Sequence, residues 1–195
     1  MRCLQKMLLA PAVASLLAAA LPVCQAAAQS LTEAAEKADE LEELLVQLRD
    51  PELKNWQAVE DEIYRRWSNS GSPAADLLLK RGRDALEAED YVSAIDHLTA
   101  LTDHAPDFAE GWNARATAFF LIDEYGLSIA DVQTALSLNP RHFGALSGLG
   151  LMLEELGDEA NALAAYRMAH EVHPHRENIA EAIERLERKV HGTTL

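Results

Sequence analysis

Three of the seven histidines, His170, His173 and His175, stand close together near the end of the chain, and imidazole is the side chain that most often ligates a metal. His170 and His173 are three residues apart, which puts them on one face of a helix. The pattern stops there. No third acid or thiol follows at a recognisable ligand spacing, and Pro174 splits the group. His170-Glu171-Val172-His173 is also one residue short of the two-histidine zinc-protease spacing. Histidine near a helix C-terminus is favoured by the helix dipole, which accounts for His170 and His173 and equally for His104 and His142. Metal or haem contact through His170 and His173 is the alternative reading, in the role of an assembly or maturation factor, and no cofactor is expected.

Other chemistries lack their parts. The two cysteines, Cys3 and Cys24, both lie in the first 28 residues, so the rest of the chain has no thiol nucleophile, disulfide or Cys-ligated metal. There is no phosphate-binding loop, nucleophile elbow or EF-hand loop. Acid pairs such as Glu154-Glu155 are ordinary solvated helix residues. No catalytic residues are assigned, and a non-catalytic protein is expected.

Residues 1–28 have the layout of a secretory signal peptide. Arg2 and Lys6 are a positive start, Met7 to Leu21 an apolar run, and Ala26-Ala27-Ala28 a small-residue cleavage site. Pro11 interrupts the run, which is short of the ~20 residues a bilayer span needs. Lipid attachment at Cys24 is disfavoured because Val23 is not the small residue expected before a lipidated cysteine. A periplasmic protein with no membrane span in its mature chain is expected. Cleavage would take the net charge from −15 to −17. With acids dispersed and no basic stripe, nucleic acid and anionic lipid are poor partners.

Apolar residues from Leu31 to Leu48 step by three and four, as on one face of a helix. Ser30 and Glu33 suit a capping box, and Asp50-Pro51 is a stop. A second helix is expected from Glu52 to Ser68, with Leu53, Trp56, Val59, Ile63 and Trp67 on one face, ended by Asn69-Ser70-Gly71-Ser72-Pro73. These two helices (29–73) are expected to act as a degenerate repeat or N-terminal cap.

Pro106, Pro140 and Pro174 then recur at intervals of 34 residues, a period that signals a helix–turn–helix repeat. Small residues recur with them: Gly82, Ala116 and Gly150 in the first helix of each unit, and Ala94, Ser128 and Ala162 in the second. The larger positions are Leu78, Ala85 and Leu98, then Trp112, Phe119 and Val132, then Leu146, Leu153 and Tyr166. This pattern resembles the tetratricopeptide (TPR) repeat across three units, 75–108, 109–142 and 143–176. The resemblance implies an all-α solenoid, closed by a capping helix and tail over 177–195 in which Ile179, Ile183, Leu186 and Val190 face inward.

The resemblance also implies two sets of residues. Arg115 and Asp131 match a structural ion pair common within TPR units. Carried over from the family, the partner-binding concave groove contains Leu79, Lys80, Arg83 and Leu86, then Asn113, Thr117, Phe120 and Leu121, then Leu151. Lys80, Arg83 and Asn113 are its donors, suited to a peptide with one carboxylate and apolar anchors. Pairing of Lys80 and Arg83 with nearby acids such as Asp84 is the competing reading. The groove lacks the carboxylate clamp of chaperone-binding TPR domains, because Leu79 and Arg83 stand where Lys and Asn would be expected. A protein or peptide partner is expected for this adaptor or scaffold.

Overall fold

The computed structural model describes Gln29, Thr32, Glu33 and residues 35–192. The expected signal peptide, both cysteines and the Ser30 cap lie outside those residues. The chain divides into two compact units, 1–43 and 44–195. In the first, residues 35–43 are helical and all but half-buried Leu41 are exposed. The second unit opens with helical residues 44–48 (α1), whose Leu45 and Leu48 are buried.

The next helix, α2 (Trp56–Trp67), begins later than its apolar spacing suggested. Asp50 is the cause. Its side chain accepts from Glu52 N at 3.0 Å and its carbonyl from Leu53 N at 3.1 Å, so the chain turns through 51–55 before a helix can start.

Three helix hairpins follow: α3 (Pro73–Glu87) with α4 (Tyr91–His104), α5 (Ala109–Leu121) with α6 (Tyr125–Leu138), and α7 (Phe143–Glu155) with α8 (Glu159–Val172). Helix α9 (Glu177–Gly192) packs on α8. The fold is all-α, with no strand among the described residues.

The recurring small residues are needed for close approach. A Cβ on Gly82 would lie 2.5 Å from Leu98 Cγ, and one on Gly150 would lie 2.8 Å from the Tyr166 ring. At the middle seam Ser128 Oγ donates to Ala116 O at 2.7 Å. The hairpin turns also repeat. Glu89, Asp123 and Gly157 have φ of 58°, 62° and 77° at 34-residue intervals. A left-handed residue reverses the chain there, at no steric cost for glycine and about 1–2 kcal/mol for a residue with a Cβ. Asp90 and Asp158 then cap α4 and α8 by accepting from Ser93 N and Asn161 N.

Helix α9 closes the last repeat. Ile179, Ala182 and Leu186 join Leu146, Ala162 and Tyr166 in one buried cluster, with Ile183 and Val190 packed at its edge. Its polar face is tied back as well. Arg185 grips both oxygens of Glu154 at 2.8 Å, and Lys189 reaches Glu159 at 3.0 Å.

Candidate binding groove

The concave side of a stack of hairpins is lined by the first helix of each, here α3, α5 and α7. Between α5 and α7 lies a pocket of about 180 Å³ lined by Asn113, Ala116, Thr117, Phe120, Ser128, Val132, Gly144, Ala145, Gly148, Leu151 and Met152. Four of the residues expected in the groove, Asn113, Thr117, Phe120 and Leu151, meet there. Leu121 is 45% exposed but is not part of the pocket lining.

The four expected from α3 have other roles. Leu79 is buried with Ala94, Leu98, Ala114 and Ala118, so it is core between α3 and its neighbours and offers a partner nothing. Leu86 is half-buried against the same cluster. Lys80 reaches along its own helix to Asp84 at 2.6 Å, an exposed pair one turn apart. Arg83 donates to Ser68 Oγ at 2.9 Å and to Glu110. Both cations have acidic partners within the chain: Arg83 is held by Glu110 across helices, whereas Lys80 and Asp84 form an exposed pair of the weak surface kind.

Part of the explanation is α2. Its aromatic face packs on the segments that enter the third hairpin and α9. Trp67 stacks on His142 with ring centroids 4.4 Å apart, and Tyr64 meets Phe143 edge-on at 5.1 Å. A Cβ on Gly144 would stand 3.0 Å from Tyr64 Oη, so α2 borders one end of the pocket. Burial pushes the Tyr64 phenol up to about 12, which keeps it protonated.

Two polar knots secure this contact. In the first, Glu110 accepts from Arg83 and pairs with His142 Nε2 at 2.6 Å, while His142 Nδ1 accepts from Ala145 N and caps α7. In the second, Glu60 of α2 pairs with Arg176 and lies 3.4 Å from His173 Nε2. Trp56 stacks on His175, whose Nε2 is 3.1 Å from Leu48 O. No pattern in the sequence marked Glu60, Glu110 or His142 as partners. The cue was a helix carrying two tryptophans and a tyrosine, and histidines at the hairpin junctions.

His173 is therefore a packed core residue, edge-on to both Trp56 and Phe143. Apart from the 3.4 Å approach of Glu60 to Nε2, neither of its ring nitrogens has a hydrogen-bond partner among the described residues, and His170 Nδ1 is likewise buried without one among them. Among the described residues no group of three or more His, Cys, Asp or Glu converges as metal ligands would.

Burial holds the His173 pKa below the usual histidine range; the charge of Glu60 opposes this, and Arg176 and His175 reinforce it. The unfolded chain therefore takes up this proton first. The contribution of neutral His173 is complete above about pH 6.5 and is lost as the pH falls towards the depressed value. Unfolding free energy from urea titrations should fall between pH 7 and pH 5 by up to about 1.4 kcal/mol per pH unit from this group. The slope should be shallower in His173→Phe, and identical slopes would contradict the assignment.

Arg115 and Asp131 face each other across the second hairpin. Arg115 Nε and Nη2 donate to the two Asp131 oxygens at 2.7 and 2.8 Å, and Nη1 donates to Thr102 Oγ1 at 2.9 Å. The guanidinium also lies 4.9 Å over the Trp112 ring. Arg81, at the same position one repeat earlier, is exposed. His97 stands where Asp131 would be one repeat earlier, whereas Arg115 has Asp131 and, from α4, Thr102.

Paired helices with small-residue seams at a 34-residue interval define a helical repeat scaffold. The chain belongs to the tetratricopeptide repeat family, whose profile matches residues 79–136 and 122–172. A TPR repeat-containing protein of Rhizobium etli is 32% identical over 157 residues, covering 80% of this chain and 76% of the relative. The small glutamine-rich tetratricopeptide repeat-containing protein 2 of Saccharomyces cerevisiae is 30% identical over 57% of this chain, a match spanning 32% of that longer protein. Among solved structures, the first TPR domain of Spaghetti (RPAP3) bound to the HSP90 peptide SRMEEVD superposes with a TM-score of 0.59. It is 23% identical and the match covers 61% of this chain and 94% of that one. No helix among the described residues is long and apolar enough to cross a membrane.

Proposed function

We propose that the protein is a non-catalytic TPR adaptor of the bacterial envelope, which binds a protein or peptide partner through the concave side of its repeats. The observation that carries this reading is the pocket between α5 and α7, open at the surface and walled by Phe120, Val132, Leu151 and Met152. Family membership supports a binding role, because stacked helix hairpins create extended concave surfaces suited to partners. The periplasmic setting rests on the signal-like residues 1–28. Adaptor function needs only a shaped surface, and no group in the pocket is arranged to transfer protons or attack a substrate.

Gly148 offers a clean test, since a Cβ there meets nothing within 4 Å. Gly148→Trp should fill the pocket while leaving the hairpin seams intact. Affinity capture from an envelope extract should recover a partner with the wild type and lose at least tenfold of it with Gly148→Trp at an unchanged Tm. Equal recovery by both proteins would sink the groove assignment.

A further inference from the structure

We infer that the α5–α7 pocket is selective for a cationic segment of a partner protein, taking one apolar side chain in its cavity and an adjacent Lys or Arg at its mouth. The inference rests on the proposed groove and adds the chemical class of the partner. A volume of about 180 Å³ compares with the ~150 Å³ cavity that accepts a benzene molecule, so one leucine-, methionine- or phenylalanine-sized group fits. None of the residues lining the pocket is Lys, Arg or His.

The mouth is acidic. Phe120 lines the pocket and its ring lies 5.7 Å from that of Tyr125, whose hydroxyl donates to Asp123 Oδ1 at 3.1 Å. Leu151 lines the opposite wall, and Glu155 follows it one turn later on the same face of α7. Asp123 contacts Tyr125 directly, and Glu155 lies near enough for its charge to act on the same phenol. Its pKa is raised first by the bond to Asp123, then by burial, and then by the charges of Asp123 and Glu155. Beside the acids, Leu121 and Leu151 are 45% and 40% exposed, so apolar contact and negative potential coincide. A cation is attracted to such a rim, whereas a segment ending in carboxylates is repelled. Arg83, a donor that an acidic peptide would need, is already held by Glu110 and Ser68, and Lys80 has Asp84 beside it.

The test is selection of a displayed library of random twelve-residue peptides on the full chain. Selected peptides are then measured by fluorescence anisotropy at 50 and 300 mM salt. The expected binders carry an apolar residue with Lys or Arg nearby, lose at least tenfold affinity to Gly148→Trp, and weaken at least fivefold at the higher salt. Asp123→Asn with Glu155→Gln should weaken them by a similar factor without lowering Tm, since asparagine tolerates the left-handed backbone at Asp123. Binders that need the open pocket but are acidic or neutral, or that ignore the double variant, would overturn the charge selectivity and leave the groove standing. Binders indifferent to Gly148→Trp would overturn the groove reading and this inference with it. A wild-type dimer split by Gly148→Trp would assign the pocket to a second copy and also overturn it.

Discussion

Asp131→Ala is expected to lower the unfolding free energy by about 3–5 kcal/mol, the range for removing one partner of a buried ion pair. The size follows from what is left behind. Arg115 is 14% exposed in its side chain and Asp131 7%, so a guanidinium would remain in the second hairpin with only hydroxyl acceptors. Thr102 and Thr99 are at 2.9 and 3.3 Å, and neither carries the compensating charge. The bidentate fork of two parallel bonds is the strong form of this interaction. Replacing both residues, Arg115→Met with Asp131→Leu, should lose far less, because no unpaired charge remains. Chemical denaturation of Arg115→Met, Asp131→Leu and the double variant gives the coupling directly. A loss below about 1 kcal/mol in Asp131→Ala would place the pair with surface ion pairs, where such values are usual.

The hairpins were legible because their determinants are local and recur. Each repeat places a glycine or alanine where a second helix must come close, and the Gly82 and Gly150 contacts with Leu98 and Tyr166 are that requirement in atoms. The spacing of Arg115 and Asp131 was legible for the same reason, since both lie within one unit. The groove was readable only in part. Asn113, Thr117, Phe120 and Leu151 share the pocket, whereas Leu79 turned inward. Successive residues on a helix differ by about 100°, so one side chain's shift separates a groove position from the core. The largest gap concerns α2. Its apolar stripe told that it is buried and not against what, because its partners His142, Phe143 and His173 lie 75 or more residues further along the chain. Periodicity carries no information about contacts of that range.

That long-range contact makes Glu110 the second residue whose loss should be costly. Glu110 is 3% exposed and holds two partners, the Arg83 guanidinium from α3 and His142 Nε2 at the start of α7. Arg83 also holds Ser68, just beyond the end of α2, so one carboxylate links three helices to the aromatic contact of Tyr64 and Trp67. Glu110→Ala should destabilise the protein by about 3–5 kcal/mol, since it strands a half-buried arginine and a buried histidine together. Glu110→Gln retains an acceptor and nearly the same shape, and should lose about 1–2 kcal/mol. Hydrogen exchange separates local from global effects. In Glu110→Ala, amides of Trp56–Trp67 should lose protection more than those of α8 and α9, because the knot joins α2 to the hairpins rather than the hairpins to each other. Uniform loss of protection across all helices would instead make Glu110 part of the general core, and α2 would then not be a separately released element.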